Sequence, residues 1–165
     1  MEIIEGGPEH VDTATLIWAH AVTARDAYDE VPSLEEARPG IENALAHEPL
    51  VFLLAFEGEA AIGFLAGGPH KTDPQGPAPD ETDLAYINYV GVHPDAWGKG
   101  VGEALLRALP GALTARGYRT AQLLVYVDNE RGVRLYERLG WHKVGAGAPH
   151  PRNGRVEQRY EISVA

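Results

Sequence analysis

Residues 90–102 read Val90-Gly91-Val92-His93-Pro94-Asp95-Ala96-Trp97-Gly98-Lys99-Gly100-Val101-Gly102. The apolar beginning of this segment predicts the end of a strand, and the apolar periodicity after it predicts a helix. Between them, three alternating glycines leave backbone N–H groups unobstructed at the positive end of the helix dipole. We therefore expect the segment to bind a phosphate group. A plain turn without a ligand is the alternative, although such a turn needs only one glycine.

Two common phosphate-binding loops fit this segment poorly. The P-loop requires G-x-x-x-x-G-K-S/T, whereas Lys99 lies between two glycines and no Ser or Thr follows it. The dinucleotide fingerprint requires G-x-G-x-x-G, whereas the glycines here are spaced G-x-G-x-G. This spacing disfavours a Rossmann-type nucleotide binder.

A second segment, residues 129–141, reads Asn129-Glu130-Arg131-Gly132-Val133-Arg134-Leu135-Tyr136-Glu137-Arg138-Leu139-Gly140-Trp141. Leu135 and Leu139 stand four residues apart and predict one buried face of a helix. Asn129 suits the N-cap of that helix, which does not exclude a contact with a cofactor. Tyr136 is either a structural aromatic residue or a functional phenol.

Both segments resemble the GNAT N-acetyltransferase superfamily. The first is similar to its phosphate loop, Q/R-x-x-G-x-G/A after a V-x-V-x-P strand, with Trp97 in place of the usual Gln or Arg. The second is similar to its N-x-x-A-x-x-x-Y-x-x-x-G-F/W helix, with Gly132 in place of the usual Ala. The two motifs occur in the family's order and span residues 90–141.

The resemblance implies the fold and the cofactor. We expect one GNAT domain over residues 1–165, of the mixed α/β class. Its mostly antiparallel, twisted sheet would have six or seven strands and about four helices, and would splay between the fourth and fifth strands. The implied cofactor is acetyl-CoA. Its pyrophosphate would bind the backbone of residues 98–102, and its pantetheine arm would lie in the splay.

The resemblance also implies the chemistry. Tyr136 would be the general acid that protonates the CoA thiolate, which a phenol with a pKa of about 10 can do. A backbone N–H near Val90 to Val92 would stabilise the oxyanion, and Gly91 suits a bulge or a close ligand approach. The residues expected to contact the cofactor are Val90, Gly91, Val92, Trp97, Gly98, Lys99, Gly100, Val101, Gly102, Asn129, Arg131 and Tyr136.

The sequence offers several candidates for the general base. Many relatives place a Glu on the strand before the V-x-V residues, but here no Glu lies between Glu81 and Val90. Asn88 cannot accept a proton and could only position a water. Asp83, Glu81 and His93 remain candidates, beside a water chain that ends on a surface carboxylate.

Composition limits the other functions. The chain has no Cys, so disulfides, thiolate metal sites and cysteine nucleophiles are excluded, and no His pattern predicts a metal. The net charge is −10, yet residues 97–143 carry eight basic and four acidic side chains. This distribution favours a polyanionic cofactor near the glycines and disfavours nucleic acid. No signal peptide or membrane span is expected, and a cytoplasmic protein, monomeric or homodimeric, is the default.

The acceptor cannot be chosen from the sequence. In the superfamily it is framed by the first two helices, their loop, and the connection between the last two strands. The first of these is acidic and favours a cationic amine: Asp26, Asp29, Glu30, Glu35 and Glu36. In the second, His150, Arg152 and Arg155 suit an acceptor that carries a carboxylate. A non-catalytic acyl-CoA sensor is the main alternative to a transferase.

Periodicity along the chain predicts the order β-α-α-β-β-β-α-β-α-β-β. Ser33 and Glu36 predict a capping box at the start of the second helix, which Pro39 and Gly40 are expected to split into two pieces. Residues 68–82 are expected to form a mobile loop. Pro110 is expected to kink the helix over residues 100–116.

Overall fold

The computed structural model describes residues 1–71 and 83–164, and within them it contains four α-helices and seven strands. The helices are α1 (Val11–Asp26), α2 (Leu34–Ala44), α3 (Val101–Ala115) and α4 (Glu130–Arg138). The strands are β1 (Glu2–Glu5), β2 (Val51–Glu57), β3 (Ala60–Pro69), β4 (Leu84–Val92), β5 (Thr120–Tyr126), β6 (His142–Pro149) and β7 (Val156–Ser163). The predicted order of elements is confirmed.

The strands form one sheet in the order β1-β2-β3-β4-β5-β7-β6. The pairs β1–β2, β2–β3, β5–β7 and β6–β7 are antiparallel, whereas β4 and β5 run parallel. The register between β4 and β5 runs over their first three residues, from Leu84–Thr120 to Tyr86–Gln122. The splay expected between the fourth and fifth strands stays a prediction.

The chain divides into two compact units, and the first comprises residues 1–68 and 88–109. Its core joins α1, α2, β2 and β3 through the buried residues Ala14, Ile17, Ile41, Phe52, Leu54, Phe64 and Ala66. These side chains alternate along the strands and recur at helical spacing in α1, so one apolar face of each element meets the others.

The second unit comprises the described residues of 69–87 and 110–165. In β5, Ala121, Leu123 and Val125 are buried in alternation with more exposed neighbours, which is the pattern of a strand with one buried face. Tyr160 of β7 and Trp141, just before β6, are also buried. The expectation of one domain over the whole chain stays a prediction.

The second helix corrects one expectation, because α2 runs unbroken through Pro39. Ser33 caps it, with its hydroxyl oxygen accepting a hydrogen bond from the Glu36 N–H at 3.2 Å. Pro39 removes one helical hydrogen bond, but the buried Ile41 beyond it belongs to the core shared with α1 and holds the second half in place. Packing explains the glycine at position 40, since a Cβ there would stand 2.6 Å from the Tyr89 hydroxyl.

Other boundaries also differ from the predictions. β3 continues through Gly68 and Pro69, so the expected loop over residues 68–82 begins later, and residues 72–82 lie outside the described residues. β6 is longer than expected because a shift in its pairing with β7, between Val144 and Ala148, lets the strand continue past Gly145. α3 is one helix with Pro110 inside it, and the predicted kink stays a prediction.

Among the described residues, none of the helices has the length and apolar character needed to cross a membrane.

Candidate active site

The glycine segment forms an open loop in the first unit. Gly98 and Gly100 both have a φ of +80°, which other residues rarely adopt, and a Cβ at either position would meet no atom within 4 Å. α3 begins at Val101, and the Ala104 N–H donates to the Gly100 carbonyl at 3.0 Å. Within the described part of the chain, the backbone N–H groups of residues 98–102 donate to no other group. The loop therefore offers consecutive donors to an anion.

Trp97, the departure from the family pattern, ties this loop to the strand before it. Its indole N–H donates to the Val92 carbonyl at 2.8 Å, while the residue stays 38% exposed. Next to it, the Nδ1 atom of His93 accepts a hydrogen bond from the Asp95 N–H at 3.2 Å and caps a short 3₁₀ helix, Pro94–Ala96. Both contacts hold the chain between the end of β4 and the glycines.

A close contact inside the first unit fixes the start of α3. Val101 and Leu105 are buried, and a Cβ at Gly63 of β3 would stand 2.7 Å from the Val101 side chain. Glycine at position 63 thus lets the helix approach the strand more closely than any larger residue would. The orientation of the loop follows from this packing.

Gly91 has a structural explanation that the sequence did not reveal. A Cβ there would stand 2.6 Å from the Phe64 ring, so the space beside Gly91 belongs to the core. Val90 and Val92 are half-buried, and Lys99 is exposed. The expected backbone contacts of Val90, Gly91 and Val92 with a ligand stay predictions.

Asn129 is the N-cap of α4, in the second unit. Its side-chain oxygen accepts a hydrogen bond from the Gly132 N–H at 3.2 Å. A Cβ at Gly132 would stand 2.7 Å from the Asn129 amide nitrogen, so the Ala that is usual in the family would crowd this cap. Gly132 is therefore matched to the position of Asn129. Arg131, beside it, is exposed.

Tyr136 lies on α4 in an aromatic cluster of the second unit. Its ring meets that of Trp141 edge-on at 5.9 Å and lies 6.4 Å from that of Tyr160. The side chain is half-buried, and its hydroxyl has no hydrogen-bond partner among the described residues. Desolvation raises the pKa of Tyr136 to about 12. The phenol therefore keeps its proton at neutral pH and has that proton available to donate.

The candidate bases differ in position. Asp83 comes just before β4, where its carbonyl accepts from the Arg119 N–H at 2.8 Å, and the strand then runs nine residues to Val92. An extended strand advances about 3.3 Å per residue, so Asp83 could serve an amine beside Val90 to Val92 only through water. Asn88 lies exposed on β4. Glu81 lies outside the described residues.

His93 is poorly suited to accept a proton, because its Nδ1 lone pair already accepts the Asp95 N–H and the neutral ring then carries its proton on Nε2. Its ring lies 5.2 Å from that of His20 on α1. His20 was not among the residues predicted from the sequence. In the sequence it is one of several polar residues of α1, and no motif singles it out.

These two histidines line an open cleft of about 750 Å³ in the first unit. It is formed by the end of α1, the loop after it, and the segment between β4 and the glycines. The residues that line it are His20, Thr23, Ala24, Ala27, Tyr28, Val31, His93, Pro94 and Asp95. Among the described residues, no group of three or more His, Asp or Glu side chains could hold a metal ion.

Known proteins are similar to this chain in sequence. The family model described as the acetyltransferase (GNAT) family matches residues 16–141. An acetyltransferase of Yersinia enterocolitica is 31% identical over 141 residues, which are 86% of this chain and 87% of that protein.

Solved structures share the fold. An N-acetyltransferase of Staphylococcus aureus has a TM-score of 0.77 at 18% identity, over 99% of this chain and 98% of that one. A Salmonella typhimurium protein, solved with its cofactor acetyl-CoA, has a TM-score of 0.74 at 19% identity, over 99% and 94%. These matches confirm the predicted fold class, and the family supports acetyl-CoA as the cosubstrate. The chain belongs to the GNAT acetyltransferase family.

Proposed function

We propose that this protein is an N-acetyltransferase that moves the acetyl group of acetyl-CoA to a primary amine of a small molecule or peptide. The amine attacks the thioester directly, in a ternary complex. The observation that carries the proposal is the loop at residues 98–102, at the start of α3. Its successive backbone N–H groups have no partner among the described residues, and two left-handed glycines leave the space above them open. A pyrophosphate is the ligand that matches this arrangement.

Each residue of the proposal has a defined part. The backbone of 98–102 binds the pyrophosphate, with Lys99 adding positive charge, and Trp97 holds the loop to β4 through Val92. Asn129 and Arg131, at the start of α4, contact the cofactor. A backbone N–H of residues 90–92 stabilises the oxyanion.

The proposed acetyl transfer forms one bond, breaks one bond and releases one proton. The ammonium form of the acceptor loses one proton, and the free amine attacks the thioester carbonyl. A C–N bond forms, the tetrahedral intermediate collapses, and the C–S bond breaks. The departing thiolate gains a proton from Tyr136, and the second proton of the attacking nitrogen returns to the Tyr136 phenolate through water. The products are therefore the amide, CoA thiol and one released proton, with Tyr136 again protonated. Water that leads to a surface carboxylate takes the first proton, with Asn88 positioning it and Asp83 as one such carboxylate.

The experiment combines binding and turnover. Thermal stabilisation by acetyl-CoA, longer acyl-CoAs and NAD tests the cofactor, and release of CoA thiol with a panel of primary amines tests catalysis. We expect stabilisation by acetyl-CoA and thiol release with at least one amine. Stabilisation by NAD alone would contradict the proposal. Stabilisation by acetyl-CoA with no thiol release on any amine would instead identify a non-catalytic acyl-CoA sensor.

A further inference from the structure

The cleft around His20 and His93 has a defined place in the first unit. One wall consists of residues 93–95, and the glycine loop begins only three residues after Asp95. The other wall is the last two turns of α1 with the residues that follow, which include Tyr28 and Val31. The cleft therefore has a wall that lies next to the proposed pyrophosphate loop in sequence, and it is large enough for a small organic molecule.

Its lining exposes apolar surface that a folded protein normally covers. Tyr28 is 58% exposed and Val31 is 43% exposed, and both belong to the short list of large apolar side chains exposed in the described residues. Ala24, Ala27 and Pro94 continue the same surface. Exposed aromatic and aliphatic groups that meet in one concave place indicate a site for an apolar body.

The charged residues of the cleft indicate whether the ligand carries an anionic or a cationic group. Among the described residues that line it there is no Lys or Arg, and its one carboxylate, Asp95, has a side chain that is 94% exposed. The nearest arginine along the chain, Arg25, is paired with Asp26 at 3.0 Å. A phosphate or carboxylate would thus find no Lys or Arg side chain in the lining, whereas an ammonium group would be attracted to Asp95.

We propose that this cleft binds the acceptor, and that the acceptor is a cationic primary amine carried on an aromatic or compact apolar body. The apolar body packs on Tyr28 and Val31, and the ammonium group enters on the side of Asp95. Acidic amines and the phosphates of the cofactor do not match this lining. This inference rests on the proposed function, because it names the substrate class of the same reaction.

The test measures acceptor KM by thiol release, with phenethylamine, butylamine, spermidine and glutamate as acceptors. We expect phenethylamine to have the lowest KM and glutamate the highest. Tyr28→Ala should raise the KM for phenethylamine about three- to tenfold, as expected for loss of an aromatic contact, and Tyr28→Phe should restore it. Asp95→Asn should raise the KM for amines about twofold, and less at high salt, because the carboxylate is exposed.

Two control variants match these changes outside the cleft. Leu16→Ala removes an exposed apolar side chain from α1, and Glu59→Gln removes an exposed carboxylate from the turn before β3. Both should leave acceptor KM unchanged. An unchanged KM for phenethylamine in Tyr28→Ala, with normal turnover, would overturn the cleft assignment and leave the proposed function standing.

Calorimetry separates the remaining outcomes. We expect phenethylamine to bind the CoA-loaded protein, and to bind about three- to tenfold more weakly in Tyr28→Ala, which supports the cleft even if no thiol is released. A raised Kd for acetyl-CoA in Tyr28→Ala, without any change in acceptor binding, would assign the cleft to the nucleotide part of the cofactor and overturn the inference.

Discussion

Local packing around Tyr136 suits this side chain to its proposed role as general acid. Trp141 and Tyr160 surround its ring, the hydroxyl makes no hydrogen bond within the described residues, and desolvation raises its pKa to about 12. A thiol has a pKa of about 8.5, so the phenol is the weaker acid. It therefore acts first by donating a hydrogen bond to the sulfur as negative charge develops there, and the proton follows as the C–S bond breaks.

Tyr136→Phe removes this donor and breaks no hydrogen bond to any residue that the structure describes. We expect kcat for thiol release to fall about a hundredfold, within the usual range for general acids. The Kd for acetyl-CoA, measured by calorimetry, should stay within about twofold of the original value. Unchanged turnover in Tyr136→Phe would remove Tyr136 from the mechanism.

Single residues also show where sequence reasoning stops. The glycines at 98 and 100 were predicted to form an open loop, and their φ angles and free surroundings agree with that prediction. The motif gave no reason for Gly132 and suggested a ligand for Gly91. The structure explains Gly132 by its contact with the Asn129 amide and Gly91 by its contact with the Phe64 ring. Gly91 and Phe64 lie on different strands, and no local sequence pattern relates them.

At the scale of elements, the start of α3 depends on how closely it packs on β3. A Cβ at Gly63 would stand 2.7 Å from the Val101 side chain and 3.3 Å from the Leu105 side chain. The N-terminal end of α3 can hold the loop in place only while this contact remains tight.

Gly63→Ala should therefore lower the free energy of unfolding by about 1–3 kcal/mol, the usual cost of overpacking a core. Urea denaturation measures this change. Gly111→Ala is the control, because a Cβ there meets no atom within 4 Å and α3 gains helix propensity, so stability should rise by about 0.5–1 kcal/mol. Equal stability of Gly63→Ala and the original protein would show that the contact is not tight.

Helix and strand boundaries were predicted best where a local signal exists. The cap at Ser33 and the full extent of β7 follow from the sequence. The unbroken α2 does not, because the burial of Ile41 outweighs the local effect of Pro39, and burial depends on residues far away in the chain. The cleft was not predicted for the same reason, since its two walls come from segments about 65 residues apart.

At the scale of the whole molecule, stability should depend on alkaline pH through Tyr136 and Tyr160. The pKa of Tyr136 is about 12 in the folded chain and about 10 in the unfolded chain. Between these values the unfolded chain has released the proton and the folded chain has kept it, so stability falls as pH rises. Burial and the nearby Glu137 raise the pKa of Tyr160 in the same direction.

Tyr136 accordingly contributes stability that is fully present below pH 10 and is lost as pH rises through about 12. Two pKa units correspond to about 2–3 kcal/mol. Urea denaturation at several pH values should show a shallower alkaline decline in Tyr136→Phe than in the original protein. Parallel declines in the two proteins would mean that the phenol is not desolvated in the folded state.

The central claim is that the loop at residues 98–102 binds the pyrophosphate of acetyl-CoA, and calorimetric titration of acetyl-CoA into two glycine variants tests it most directly. Gly100→Ala and Gly117→Ala place a side chain at φ angles of +80° and +84°, both in open space, so they carry the same backbone strain. We predict that Gly100→Ala weakens acetyl-CoA binding about tenfold or more while Gly117→Ala leaves it unchanged. Equal affinity of the two variants for acetyl-CoA would contradict the account.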